Sequence, residues 1–197
     1  MRAEVGLALL KRAVGFAVAC AGEVTPRQLA NPTPCPGWDL RALLAHVNES
    51  TQVLREAISS GRVGRTASHP ADRVGIESPG DTDPASAFRS EAALLLGVCD
   101  ACRAEQQVTI DDRYLTAGLV AATGAVELAV HGWDISAACG RPRPIPPILA
   151  SDLLEVAPLI VNGATRPGLF GEPVRVRPFA RPGDRLVAML GRTPLAD

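Results

Sequence analysis

The stretch AVELAVHGWDIS, residues 125–136, places Glu127, His131 and Asp134 inside an apolar run that contains Val126, Leu128, Val130 and Ile135. Spacings of four and seven put the three polar groups along one face of a helix, over about two turns. A core helix has no use for such groups unless something complementary stands opposite. A buried carboxylate without a partner is costly, and no lysine or arginine falls between Tyr114 and Gly140 to supply one. Val120, Gly124 and Ile135 share the polar face, while Leu115, Leu119, Val126, Val130 and Trp133 form a second, apolar stripe. Two inward stripes predict a helix over 114–139 with little exposed surface, closed by Gly140.

The rest of the chain supplies the surroundings for that helix. Leu7, Leu10, Val14, Val18 and Ala21 recur at helical spacing over 3–21, with Leu9 and Phe16 widening the apolar face. The prolines in NPTPCPGW (31–38) forbid regular structure, and Trp38 or Asp39 then opens a second helix that ends near Gly61. Residues 61–82 read as a long polar loop, of the kind that borders a pocket. Asp83–Pro84 is a good N-terminus for a third helix extending through Glu105. After RPRPIPP, residues 148–164 make a fifth helical segment that Pro158 must kink or divide. From 167 the texture changes, with alternation at Val174 and Val176 and a short apolar helix in DRLVAMLG (184–191). The expected architecture is all-α: a four-helix bundle over 1–165 with an additional helical segment, and a C-terminal appendage over 166–197 that packs on it.

Composition narrows the function classes. A chain of 197 residues can bury a core as one domain, and a 4% aromatic content suits helices packed through Ala, Leu and Val. A net charge of -1 with scattered arginines offers no field for nucleic acid. Lys11, Arg12 and Glu4 interrupt the N-terminal apolar run, so it does not read as a signal peptide, and no stretch is apolar enough to span a bilayer. The chain reads as cytoplasmic, as a monomer or homodimer, and its five cysteines as reduced thiols. CDAC (99–102) lies within a helical pattern without a second pair, which argues against redox or metal chemistry; Cys20 and Cys139 read as small core fillers.

Two readings of the polar face stand. In one, each histidine is a satisfied core residue and Glu127 makes an i, i+4 contact with His131 worth about 0.2–0.5 kcal/mol. In the other, a divalent metal is held by Glu127, His131 and His46, the last on the second helix with Leu43, Ser50 and Val53 on its face. Two histidines and a glutamate with open positions form a recognised catalytic zinc arrangement.

Three motifs, NPTPCPGWDLRALLAHV (31–47), ELAVHGWDIS (127–136) and DRLVAMLGR (184–192), resemble the DinB-like superfamily, in the branch related to mycothiol-dependent maleylpyruvate isomerase. The resemblance implies a four-helix bundle whose metal, usually zinc, is held by His46, Glu127 and His131. It also implies a metal-dependent enzyme that uses a low-molecular-weight thiol, mycothiol, for S-transfer to a small electrophilic substrate or for its thiol-assisted isomerisation. The short tail in place of a sizeable C-terminal domain points away from maleylpyruvate itself. A thiol-independent metal hydrolase or cyclase of secondary metabolism, and a non-catalytic small-ligand-binding protein, are the alternatives.

Asp134 is the expected catalytic residue, either hydrogen-bonding a metal ligand or reaching thiol or substrate as an acid or base. Its other reading is a structural contact with a backbone group or an arginine from another helix. Cys35 has no histidine near it in sequence and is flanked by prolines, so it reads as part of a shaped turn. His69 reads as a solvated loop histidine.

Overall fold

Helix α4, Ala117–Ala138, is buried along nearly its whole surface; only Thr123 is exposed, and Leu119, Glu127 and Ala137 are half-buried. In the computed structural model, which describes residues 3–63, 83–110, 112–161, 166 and 170–194, the other elements are arranged around it. They are α1 (Ala3–Ala21), α2 (Leu40–Ser60), α3 (Pro84–Ala101), α5 (Pro147–Ile160) and α6 (Pro182–Met189). The fold is predominantly helical, with α1 to α4 forming the bundle that the periodicity predicts and that the resemblance to the DinB-like superfamily implies.

Small residues set how closely the helices approach. A Cβ on Gly6 would sit 1.8 Å from the Gly118 carbonyl oxygen, and one on Gly132 would lie 2.9 Å from Ala17 Cα. Gly6 meets Gly118 and Ala17 meets Gly132, so α1 and α4 run in the same direction, nearly backbone to backbone. On the other side of α4, Leu54 of α2 fills the place a side chain at Gly124 would take.

The caps follow the sequence. The Asp39 side chain accepts from Ala42 N at 2.8 Å and Gly61 closes α2 with φ +68°, while Asp83 and Pro84 open α3 as expected. The structure departs from the helical reading at 107–116. There β2 (Gln107–Ile110) pairs antiparallel with β3 (Arg113–Thr116) and parallel with β1 (Arg62–Val63). Residues 114–116, expected within the fourth helix, are therefore strand, and the third helix stops at Ala101 instead of Glu105. Four-residue strands are too short for a clear alternation, but the β-branched Val108, Thr109 and Ile110 were a usable sign. This hairpin fixes where α4 starts: Gly118 N donates to Ala104 O at 2.9 Å, and Ala117 N to Gln106 O at 2.8 Å.

Pro158 lies within α5 without dividing it, two residues before the helix ends, and removes one backbone donor there. Val174 and Val176 form no strand; Val174 N instead donates to Ala188 O at 2.9 Å. Leu186, Val187 and Leu190 of the C-terminal segment belong to the same core as α1 to α5. Most of the expected 61–82 loop, with His69, lies outside the described residues. Among the described residues, no helix is long and apolar enough to cross a membrane.

The close approach of α1 to α4 leads to a contrast within one helix. Gly6→Ala is expected to destabilise the protein by about 1–3 kcal/mol, because backbone and not a side-chain tip must yield. Gly15→Ala, with nothing within 4 Å of the added Cβ, should be neutral or stabilising by up to about 1 kcal/mol. Denaturant unfolding of the two variants checks the difference.

Candidate metal centre

Helices α2 and α4 run antiparallel: Leu54 faces Gly124, Ser50 reaches Glu127, and His46 meets both Glu127 and His131. His46 Nε2 lies 3.2 Å from Glu127 Oε1, and the His46 and His131 rings stand edge to face with centroids 5.1 Å apart. One donor atom from each of His46, Glu127 and His131 falls within 4.8 Å of the other two. The edge of Trp38 packs on His46, centroids 4.8 Å apart, and fixes its ring from the side of the proline-rich turn. His46 and Glu127 keep 22% and 29% of their side-chain surface, so the group opens to solvent on one side.

Two imidazoles and a carboxylate converging from two helices fit a divalent ion with open positions. Burial pushes the Glu127 carboxyl up, but the His46 hydrogen bond, the neighbouring His131 and His46 charges and the Ser50 hydrogen bond outweigh it. The carboxyl is held below its usual range, as the anion a cation needs.

Behind His131 lies a second cluster. His131 Nδ1 is 3.0 Å from Asp134 Oδ2, which leaves Nε2 as the ring nitrogen for a metal. Asp134 is fully buried, and its Oδ2 also accepts from Cys35 Sγ at 3.2 Å and from Arg192 Nη2 at 3.1 Å. Arg192 Nε approaches the other oxygen at 3.4 Å, and its Nη2 donates to Cys35 Sγ at 3.2 Å. The Asp134 carboxyl is raised by burial but pulled further down by His131 and Arg192, so it is an anion with a settled set of donors.

The proline-rich turn brings Cys35 here. Thr33 Oγ1 donates to Trp38 O at 2.9 Å, while Asn31 Nδ2 and Gln28 Nε2 donate to the carbonyls of Ala138 and Cys139 at 2.8 and 3.0 Å. The turn thereby caps the C-terminal end of α4, four residues beyond Asp134. Cys35 Sγ ends 3.9 Å from His131 Nδ1, a meeting that no sequence proximity announced. Its thiol is pushed up to about 12, by burial first and then by the Asp134 charge, which fits a structural cysteine and not an ionised nucleophile.

Of the residues singled out from sequence, His46, Glu127, His131 and Asp134 are thus brought together, with Cys35 beside them. Arg192 was missed. The stretch 114–140 holds no lysine or arginine, and the guanidinium arrives from a segment 58 residues beyond Asp134. Its one sequence sign was the Gly-Arg that closes DRLVAMLGR.

The profile of the mycothiol maleylpyruvate isomerase N-terminal domain matches residues 10–136, a span that holds Cys35, His46, Glu127, His131 and Asp134 and ends before Arg192. The chain is also 30% identical over 193 residues to an uncharacterized protein found in two strains of Mycobacterium tuberculosis, a match covering 93% of this chain and 95% of the relative. No solved structure matches it.

The thiols differ enough in setting to be told apart chemically. Cys20, Cys35, Cys99 and Cys139 are buried and Cys102 is half-buried. Brief alkylation of the native protein near pH 8, read by peptide mass spectrometry, should label Cys102 first, with Cys35 labelled only after unfolding.

Proposed function

The chain belongs to the mycothiol maleylpyruvate isomerase N-terminal domain family, and from that premise we propose that it is a metal-dependent enzyme acting with a low-molecular-weight thiol, mycothiol, on a small electrophile. The observation that carries the proposal is the convergence of His46, Glu127 and His131 donor atoms on one partly open point. In this reading they hold a divalent ion, zinc by the resemblance to the family, and two histidines and a glutamate with open positions are a catalytic zinc arrangement. Zinc, when bound, supplies the charge that converts a coordinated thiol into the thiolate nucleophile at neutral pH.

The protein's own groups then have distinct tasks. Glu127 contributes the negative charge and, with His46, the anchoring from two helices. Trp38 keeps the His46 ring in place. Asp134 accepts the Nδ1 proton of His131 and so fixes the tautomer that turns the Nε2 lone pair outward; it is a positioning residue, since its fully buried carboxylate has no route to substrate. Cys35, buried and bonded to both Asp134 and Arg192, packs behind His131, and in this reading the attacking sulfur comes from a thiol cosubstrate. Holding that sulfur beside the electrophile removes much of the entropic cost of bringing two substrates together. The thiolate adds to one carbon of an activated double bond; in transfer the resulting carbanion takes a proton from water and the thioether leaves, whereas in isomerisation the former double bond, now single, rotates before elimination re-forms it and expels the thiolate.

The purified protein is expected to carry about one divalent ion per chain by elemental analysis, and His46→Ala and His131→Ala to lose it. Mycothiol should raise the melting temperature of the metal-loaded wild type and not that of His131→Ala. Full metal retention in both variants would overturn the site. Turnover that proceeds equally without thiol would replace the proposal with a metal hydrolase or cyclase. Asp134→Asn is expected to keep the fold and lower turnover about 10-fold or more.

A further inference from the structure

Asp134 is a carboxylate with no exposed surface, and such a group is tolerated only when it is paired and hydrogen-bonded. Its positive partner lies outside the family match, at Arg192, whose side chain is 10% exposed. The delivery is specific. Helix α6 ends in a Schellman turn, with Arg192 N donating to Val187 O at 2.9 Å and Gly191 N to Ala188 O at 3.1 Å around Gly191 at φ +84°. A Cβ on Gly191 would come within 2.6 Å of Gly171 Cα, so the turn is pressed against the chain and its direction is fixed. Arg192 leaves this turn inward, Nη1 donating to Leu190 O at 2.9 Å while Nε and Nη2 grip the two Asp134 oxygens.

We propose that Arg192 is a positioning residue of the metal centre: its fork holds Asp134 against His131 Nδ1, and through that contact sets the ring that binds the ion. The inference rests on the metal site proposed above. The C-terminal segment is then part of the working site, and the family-matched span of the chain is incomplete without it. The guanidinium also occupies the position a cation would need to use Cys35, His131 and Asp134 as ligands, since it already bonds the first and third of them. Lysine cannot replace it, because an ammonium lacks the planar pair of donors that grips both carboxylate oxygens.

A double-mutant cycle in zinc affinity tests the proposal on the full chain. Zinc binding is measured by chelator competition for wild type, Asp134→Asn, Arg192→Met and the double variant, with circular dichroism to confirm folding. Each single variant is expected to bind zinc about 10-fold or more weakly, and the double variant no more weakly than the weaker single, because both act through one contact with His131. If Arg192→Met fails to fold, Arg192→Lys, which keeps the charge beside Asp134, takes its place in the cycle with the same expectation. Wild-type affinity in the folded Arg192 variant would overturn the proposal, as would strictly additive losses, which would mark Arg192 as a general stabiliser. The His131→Ala variant separates the two levels: if it retains zinc, the underlying site is wrong whatever the cycle shows.

Discussion

The structure depends on the placing of three polar groups, two of them buried and one half-buried, in its most buried helix. Glu127, His131 and Asp134 lie on α4, which is covered by α1, α2 and α5 and has almost no surface at which to hydrate charge. Each group must therefore be answered by something brought to it, and much of the remaining architecture does this. Helix α2 brings His46 and Ser50 to Glu127. The proline-rich turn caps the end of α4 and carries in Cys35 and Trp38, and the C-terminal segment brings Arg192 to Asp134.

His131 joins the two halves of this arrangement. One ring nitrogen faces a closed, fully satisfied cluster of acid, thiol and guanidinium; the ring also stands edge to face with His46, in the group that keeps access to solvent. The asymmetry matters chemically. The Arg192 guanidinium stands behind the ring, whereas His46 and Glu127 stand in front of it. Under the proposed function an added ion goes to the front, and the rear cluster selects the nitrogen that meets it.

How much of this could be read from the sequence varied with the range of the interaction. The helices, their caps at Asp39, Gly61 and Asp83, and the all-round burial of the fourth helix follow from local periodicity and turn chemistry. The placing of His131 within reach of both Glu127 and Asp134 was legible because all three lie within about two turns of one helix. The short hairpin over 107–116 was less so, because four-residue strands give too few alternations and left only the β-branched Val108, Thr109 and Ile110 as a sign. The meeting of Cys35 with His131, and of Arg192 with Asp134, was illegible for a different reason: both contacts are made by irregular segments whose direction is set by tertiary hydrogen bonds and by a close Gly171–Gly191 approach. Periodicity carries no information about such segments.

X-ray absorption at the zinc edge of the reconstituted protein tests the central claim most directly, because the two candidate clusters around His131 differ in sulfur. The account predicts a first shell of nitrogen and oxygen at about 2.0–2.2 Å with two imidazole contributions and no sulfur. A zinc–sulfur distance near about 2.3 Å would place the ion with Cys35 and Asp134 instead and contradict the assignment of the site to His46, Glu127 and His131.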